Sequence, residues 1–279
     1  MIPMKQNPFA DYADVTHEIF SRHLQDFRKV HIYLPPSYLR SSKQYHVLYI
    51  NDGQDMKLLK LKENLATLYQ AGAIDELIVV AIPAHHRIQE YGVAGIPDYK
   101  RRGSKAGKYS KFIINELMPF INAQYRTSKF IPKTAFIGFS MGGLTAFDIC
   151  WNHPFHFGLV GAFSASFWWR SKAFEEGFEE DRDRIMHNVV KHTKKKAGLK
   201  FWFQAGTEDE KEDRNNNGII DAIDDTLDLM KELVEKGYSK EADMLYEEVE
   251  GGEHNYDTWS AILPKFLKWA YAKPVVSYL

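Results

Sequence analysis

One serine lies in a sequence pattern that is typical of a catalytic nucleophile. Ser140 is the centre of Gly138-x-Ser140-x-Gly142, between a strand-like apolar run, Thr134 to Phe139, and a small-residue segment typical of a helix. On such a turn the serine hydroxyl projects beyond the sheet edge, and the glycines let strand and helix cross closely. The backbone N–H of Met141 then points at a developing oxyanion. We predict Ser140 as the nucleophile and Met141 as an oxyanion donor.

A serine hydroxyl is a poor nucleophile at neutral pH, so a base and an orienting acid should lie within reach. Of the eleven histidines, His254 is the one that follows a predicted strand in the order serine, acid, histidine. The predicted acid is Asp209, which would accept the other imidazole N–H and stabilise the imidazolium. Its neighbours Glu208 and Glu210 remain alternatives. The second oxyanion donor is predicted to be the N–H of Gln54, in the loop after another strand.

Aromatic and polar side chains after two further predicted strands are candidates for the substrate pocket. Phe167 and Trp168 follow one strand end, where they would stack on a sugar or aryl group or form one wall of an acyl pocket. Arg87 and Tyr91, in another loop, would bind a carboxylate or hydroxyl of the substrate. The alternative is that the aromatic residues are core and the loop is simply solvated.

The segment 213–224, DRNNNGIIDAID, has the spacing of a calcium-binding loop. Oxygen-bearing side chains stand at loop positions one, three, five, nine and twelve, with glycine at position six. The last position is an aspartate in place of the usual glutamate, and the alternative is a polar turn. The predicted ligands of a structural calcium ion are Asp213, Asn215, Asn217, the carbonyl of Ile219, Asp221 and Asp224.

The elements that must position these residues alternate along the chain. After a predicted hairpin of two antiparallel strands, apolar runs of strand length alternate with helical patterns. This order favours a mostly parallel sheet covered by helices on both faces, with ligands bound beyond the carboxyl ends of the strands. With no internal repeat or linker, residues 1–279 are predicted to form a single α/β domain.

Charge and composition exclude several classes of partner. The 36 basic and 37 acidic residues give a net charge of −1, so neither nucleic acid nor an anionic membrane surface is predicted as a partner. No apolar run approaches the length of a membrane span. The N-terminal stretch lacks a signal-peptide pattern, and the single Cys150 excludes an internal disulfide. We therefore expect a cytoplasmic protein, of an oligomeric state that the sequence leaves open.

These residues together also carry a family resemblance, which runs over nearly the whole chain. The chain resembles an esterase family that includes enterochelin-type, feruloyl and acetylxylan esterases and S-formylglutathione hydrolases. The matching segments are YLPPSY (33–38), HVLYINDGQ (46–54), INELMPFI (114–121), GFSMGG (138–143), SASFWW (164–169), AGTEDE (205–210) and GGEHNYDTW (251–259). The resemblance implies an α/β-hydrolase fold, cleavage of carboxylic esters through an acyl-enzyme, and a triad of Ser140, Asp209 and His254.

The functional expectation is a serine carboxylesterase that needs no cofactor for catalysis. Its substrate would be a small or medium ester of a sugar, an aryl acid or a siderophore-like compound. Two alternatives use the same scaffold: an acyltransferase, in which an alcohol replaces water, and a catalytically silent binding protein. The intact order of serine, acid and histidine argues against the silent protein.

Overall fold

A computed structural model describes residues 13–273. Residues 1–12, which make up most of the N-terminal stretch without a signal-peptide pattern, lie outside the described residues. Eight described strands form one sheet: β1 (Ala13–Ser21), β2 (Asp26–Leu34), β3 (His46–Asn51), β4 (Leu77–Ile82), β5 (Ala135–Phe139), β6 (Leu159–Phe163), β7 (Lys200–Glu208) and β8 (Met244–Glu253).

The strands lie in the order β1-β2-β4-β3-β5-β6-β7-β8. β1 pairs with β2, and β2 with β4, in antiparallel fashion, and the five remaining pairings are parallel. One strand, β2, therefore runs against the other seven. The predicted α/β-hydrolase architecture, a mostly parallel sheet with an N-terminal antiparallel pair, is confirmed.

Helices follow the strands along the chain. The α-helices are α1 (Leu61–Gln70), α2 (Arg87–Glu90), α3 (Ala106–Phe112), α4 (Met118–Gln124), α5 (Met141–Asn152), α6 (Glu180–Asp183), α7 (Ile185–His192), α8 (Asp221–Glu235) and α9 (Tyr256–Tyr271). A π-helical turn, Ile113–Leu117, joins α3 to α4. Pro119 lies in the first turn of α4, where its missing N–H removes no hydrogen bond of that helix.

The core has two parts, one on each face of the sheet. β4 shows this clearly, because Ile78 and Val80 belong to one buried cluster whereas Val79 and Ala81 belong to the other. α5 packs on the first face and α9 on the second. A strand buried on both faces has a continuous apolar sequence, and β3, β4 and β5 are of this kind.

None of the helices within residues 13–273 combines the length and the apolar character that a membrane span requires.

Candidate active site

The turn between β5 and α5 holds Ser140 in a strained backbone conformation. Its φ of 55° and ψ of −125° lie in a region that L-residues rarely occupy. Close packing allows this turn: a Cβ atom on Gly138 would lie 2.2 Å from the carbonyl oxygen of Gly142. The Ser140 N–H donates to the carbonyl of Phe163 on β6, at 2.9 Å. The serine is thus fixed at the carboxyl end of the central strands by its own backbone.

Asp209 lies directly beyond β7, and its carboxylate is buried. Oδ2 accepts a hydrogen bond from the Gly206 N–H at 2.9 Å, and Oδ1 lies 3.1 Å from the hydroxyl of Ser164. Burial raises the pKa of Asp209, although both hydrogen bonds and the neighbouring imidazole of His254 act in the opposite direction. The carboxylate is therefore oriented by groups other than the histidine.

His254 stands at the end of β8, and its side chain is 39% exposed. Its Nδ1 lies 3.9 Å from Oδ1 of Asp209, which is longer than a hydrogen bond. Its ring packs edge-on against Trp259 on α9, with 5.2 Å between centroids. Burial lowers the pKa of His254; Asp209 opposes this shift and Arg87 adds to it. The imidazole therefore loses its proton more readily than a free histidine.

The two alternative acids lie elsewhere. Glu208 is exposed and pairs in the ladder with Glu253 on β8. Glu210 lines a cavity near Asp221, where burial and neighbouring carboxylates raise its pKa to about 7. Among the described carboxylates, Asp209 is the one that lies within 4 Å of the His254 ring nitrogens.

Sequence reasoning missed two serines between the nucleophile and the acid. The Ser164 hydroxyl accepts a hydrogen bond from Nε1 of Trp259 at 2.9 Å while it contacts Asp209, so it links the acid to α9. Ser164 also has a positive φ of 41°. The Ser166 hydroxyl lies 3.4 Å from that of Ser140. Their only sequence signal is their position in the segment SASFWW, directly after a strand end.

The two predicted oxyanion donors have free backbone N–H groups. Within residues 13–273 neither the N–H of Met141 nor that of Gln54 donates to a protein acceptor. Met141 opens helix α5, and Gln54 lies in a short 3-10 turn, Gly53–Asp55, that follows β3. The Gln54 side chain is anchored through Oε1, which accepts from the Ala84 N–H at 3.2 Å.

Asp52, another residue that the sequence did not single out, lies beneath the elbow. It is buried and has a left-handed backbone, and a Cβ atom on Gly142 would meet its Oδ2 at 2.8 Å. Arg87, predicted to bind substrate, forms a bidentate pair with this carboxylate at 2.8 and 3.1 Å and also donates to the carbonyl of Phe139. Its guanidinium therefore has partners on the protein, while its side chain stays 35% exposed.

Two predicted substrate residues are buried, so these predictions are wrong. Tyr91 is completely buried beneath Arg87, and its hydroxyl accepts from the Asp52 N–H at 2.9 Å. Phe167 is also completely buried and packs on Phe147. Both side chains fill the core because the helices that flank the strand ends cover them. Trp168, in contrast, is half-buried and lines a cavity.

The candidate calcium loop forms a compact turn before α8. Oδ2 of Asp213 accepts from the N–H of Gly218 at 2.9 Å, and the side-chain amides of Asn215 and Asn217 each lie 2.8 Å from Oδ2 of Asp224. Side chains at loop positions one, three, five and twelve therefore face each other. Asp221 instead accepts from the Arg214 N–H, at 2.9 Å, and forms an ion pair with its guanidinium. Ile219 is partly exposed, and its N–H donates to the side chain of Asn217.

Comparisons with known proteins agree on a family and a fold. A family model described as "Putative esterase" matches residues 21–270. Two Bacillus subtilis proteins, YbbA and YjcH, are 24% and 26% identical to the chain over 91% and 90% of its length, which is 96% and 94% of theirs. A ferulic acid esterase structure superposes with a TM-score of 0.72 at 19% identity, covering 94% of this chain and 98% of that one.

A second solved structure is longer than this chain. The enterochelin esterase from Shigella flexneri superposes with a TM-score of 0.72 at 18% identity over 93% of this chain, which spans 58% of that structure. At this level of identity the likeness to solved structures establishes the α/β-hydrolase fold alone.

Proposed function

The chain belongs to the putative esterase family, and on this premise we propose that it is a serine carboxylesterase that acts through an acyl-enzyme. The observation that carries the proposal is the strained conformation of Ser140 at a strand-to-helix turn, packed between glycines. A backbone held in this strained conformation presents the serine hydroxyl to a ligand beyond the sheet edge. The proposed substrate is a small or medium carboxylic ester of a sugar, an aryl acid or a siderophore-like compound.

In the proposed first half-reaction, the Ser140 hydroxyl oxygen attacks the ester carbonyl carbon while His254 accepts its proton. The negative charge that develops on the carbonyl oxygen is stabilised by the N–H groups of Met141 and Gln54. The tetrahedral intermediate then collapses, and the departing alkoxide takes the proton from His254. The alcohol leaves, and the acyl group stays on Ser140.

In the second half-reaction, His254 removes a proton from water, and the water oxygen attacks the acyl carbon. The bond between the acyl group and the Ser140 oxygen then breaks, this oxygen takes the proton back from His254, and the carboxylic acid leaves. Throughout, Asp209 would orient the imidazole and stabilise its charged form. The 3.9 Å between Asp209 and His254 must shorten by about 1 Å for this hydrogen bond to form. Catalytic hydrogen bonds are often long without substrate, so we propose that the segment from Gly251 to Asn255, which includes the end of β8 and is called the histidine loop below, closes when the ester binds.

The test of this proposal is removal of the nucleophile and the base. We expect Ser140→Ala and His254→Ala each to lower kcat for p-nitrophenyl esters by at least roughly 10⁴-fold, because nucleophile and base act as a unit. A fluorophosphonate should label Ser140 in the parent protein. His192→Ala, on the exposed part of α7, is the matched control and should retain activity. Labelling at a different serine would contradict the proposal.

We propose further that the loop 213–224 binds a structural calcium ion. The side chains of Asp213, Asn215, Asn217 and Asp224 already converge, and Gly218 with its φ of 86° provides the sharp turn at loop position six. Asp221, at loop position nine, forms an ion pair with Arg214, and this pair opposes calcium binding because it occupies the carboxylate. That position commonly contacts calcium through water, so the pair weakens the site without removing it.

Calcium should raise the melting temperature of chelator-stripped protein, and magnesium should do so poorly, since the loop offers many oxygen ligands in a flexible arrangement. Asp213→Asn should abolish this shift. Glu235→Gln, which makes the same charge change at the exposed end of α8, is the control. If titration calorimetry finds no binding heat up to millimolar calcium, the loop is only a polar turn.

A further inference from the structure

A cavity of about 290 Å³ is lined by side chains from several strand-end loops, none of them a proposed catalytic residue. Two of its lining residues lie close in the chain to residues of the candidate active site. Trp168 follows Ser166, whose hydroxyl lies 3.4 Å from that of Ser140, by two positions, and Glu210 directly follows Asp209. The cavity therefore lies within the same group of strand-end loops, where a bound ester would extend beyond the reacting carbonyl.

The cavity is lined by aromatic rings and by five basic and three acidic side chains. Most of the basic groups are already neutralised by ion pairs. Arg102 pairs with Asp98 at 2.5 Å, Arg184 pairs with Asp225 at 2.9 Å, and Arg214 pairs with Glu180 at 2.7 Å. These three arginines support the cavity wall.

Arg170 differs from these arginines, because no described carboxylate lies within ion-pair distance of it. Its guanidinium lies over the rings of Phe174, at 4.0 Å, and Tyr99, at 4.8 Å. One terminal nitrogen donates to the Tyr99 hydroxyl at 3.3 Å. Its Nε is shielded from solvent and makes no hydrogen bond to a described residue. The charge is thus held by aromatic faces and retains unused donors.

A guanidinium without an ion-pair partner in a cavity wall presents donors on its terminal nitrogens that match a carboxylate. Aromatic rings at Tyr99, Trp168 and Phe174 give the cavity flat apolar walls beside this charge. A planar group that carries a carboxylate satisfies both features at once.

We propose that this cavity binds an aromatic carboxylate group of the substrate, with Arg170 as its counter-ion. The inference rests on the proposed esterase function and specifies its substrate class: an ester that bears a second, free carboxylate on an aryl ring. Such a carboxylate can be part of the acyl group or of the alcohol group of the ester, so the test has one arm for each.

The test compares esters that differ only in carboxylate against carboxamide. In the alcohol-side arm, 4-acetoxybenzoate is compared with 4-acetoxybenzamide. In the acyl-side arm, monomethyl terephthalate is compared with methyl 4-carbamoylbenzoate. We expect the ratio of kcat/KM, carboxylate over carboxamide, to exceed roughly tenfold in one arm, because a charge-assisted hydrogen bond contributes this much. Arg170→Gln should bring that ratio close to one, and Arg170→Lys should keep part of it.

Ratios close to one in both arms for the parent protein overturn the inference, whatever the stability of the variants. The same holds if Arg170→Gln keeps the parent ratio, or if neither pair is hydrolysed while p-nitrophenyl acetate is. Loss of all ester hydrolysis, p-nitrophenyl acetate included, would instead contradict the esterase proposal. Lys194→Gln, an exposed cation outside the cavity, is the matched control and should retain the parent ratio.

Discussion

The elbow that holds Ser140 and the loop that holds His254 are built in opposite ways. At the elbow every residue from Met141 to Trp151 is buried, and glycines let the helix backbone touch the strand. The histidine loop is largely exposed, and its Gly251 has open space around the position of a Cβ atom. Packing therefore fixes the nucleophile, whereas the side chain of the base is 39% exposed and lies 3.9 Å from its acid, too far for a hydrogen bond.

The contrast between the elbow and the histidine loop is tested most strongly by a glycine-to-alanine change in each region. Gly138→Ala places a Cβ atom 2.2 Å from the backbone oxygen of Gly142, so α5 must shift. We expect a loss of roughly 1–3 kcal/mol in stability and of more than about 100-fold in kcat/KM, since misplacement by 1 Å has effects of this size. Thermal melting and ester hydrolysis measure the two losses.

The paired change is Gly251→Ala on the histidine loop. With a φ of 64° and no neighbour within 4 Å, this residue has backbone strain but no clash, so the stability cost should be about 1–2 kcal/mol. Activity should fall much less than in Gly138→Ala. Equal losses of activity in the two variants would show that catalysis depends on the exact backbone position of the histidine loop as much as on that of the elbow.

A second prediction concerns Ser164, which contacts both the acid, Asp209, and Trp259 on α9. Ser164→Ala removes the hydroxyl beside Asp209 and leaves the indole N–H of Trp259 buried without a partner, at a cost of about 1–3 kcal/mol. The acid then loses one of its two orienting contacts, so we expect kcat/KM to fall roughly tenfold to 100-fold. Ser110→Ala, at a buried serine that contacts His153, is the control. Unchanged activity in Ser164→Ala would mean that Gly206 alone orients the acid.

The sequence predicted the elbow well because its signal is local. A strand, a serine between glycines and a helix are adjacent in the chain, so the strained turn of Ser140 can be recognised without knowledge of the rest of the molecule. The strands buried on both faces were recognisable for the same reason, as continuous apolar runs.

The contacts that support the site join distant segments and leave no local signal. Asp52 meets Arg87 and Gly142, and Ser164 meets Trp259, across 35 to 95 residues of chain. The prediction that Tyr91 binds substrate is wrong for a related reason. A loop tyrosine after a strand end reads as exposed, and only its packing against Tyr109 shows that it belongs to the core.

The smallest expected effect is on the pH dependence, and it tests how the charge of Arg87, at the elbow, acts on His254. Burial and the Arg87 charge lower the pKa of His254, while Asp209 opposes the shift. Because the neutral imidazole is the base, kcat/KM should rise with pH through an apparent pKa below about 6.5, so activity persists into mildly acidic solution. Arg87→Gln removes a cation that disfavours the imidazolium and leaves the Asp52 carboxylate without its bidentate partner. Both changes stabilise the protonated histidine, so the acidic limb of the pH profile should move to higher pH.

The control is Arg22→Gln, at an exposed arginine in the turn between β1 and β2, and the pH profile of this variant should match the parent. An acidic limb that stays in place in Arg87→Gln would show that the histidine loop, when closed on its acid, is screened from the charge beneath the elbow.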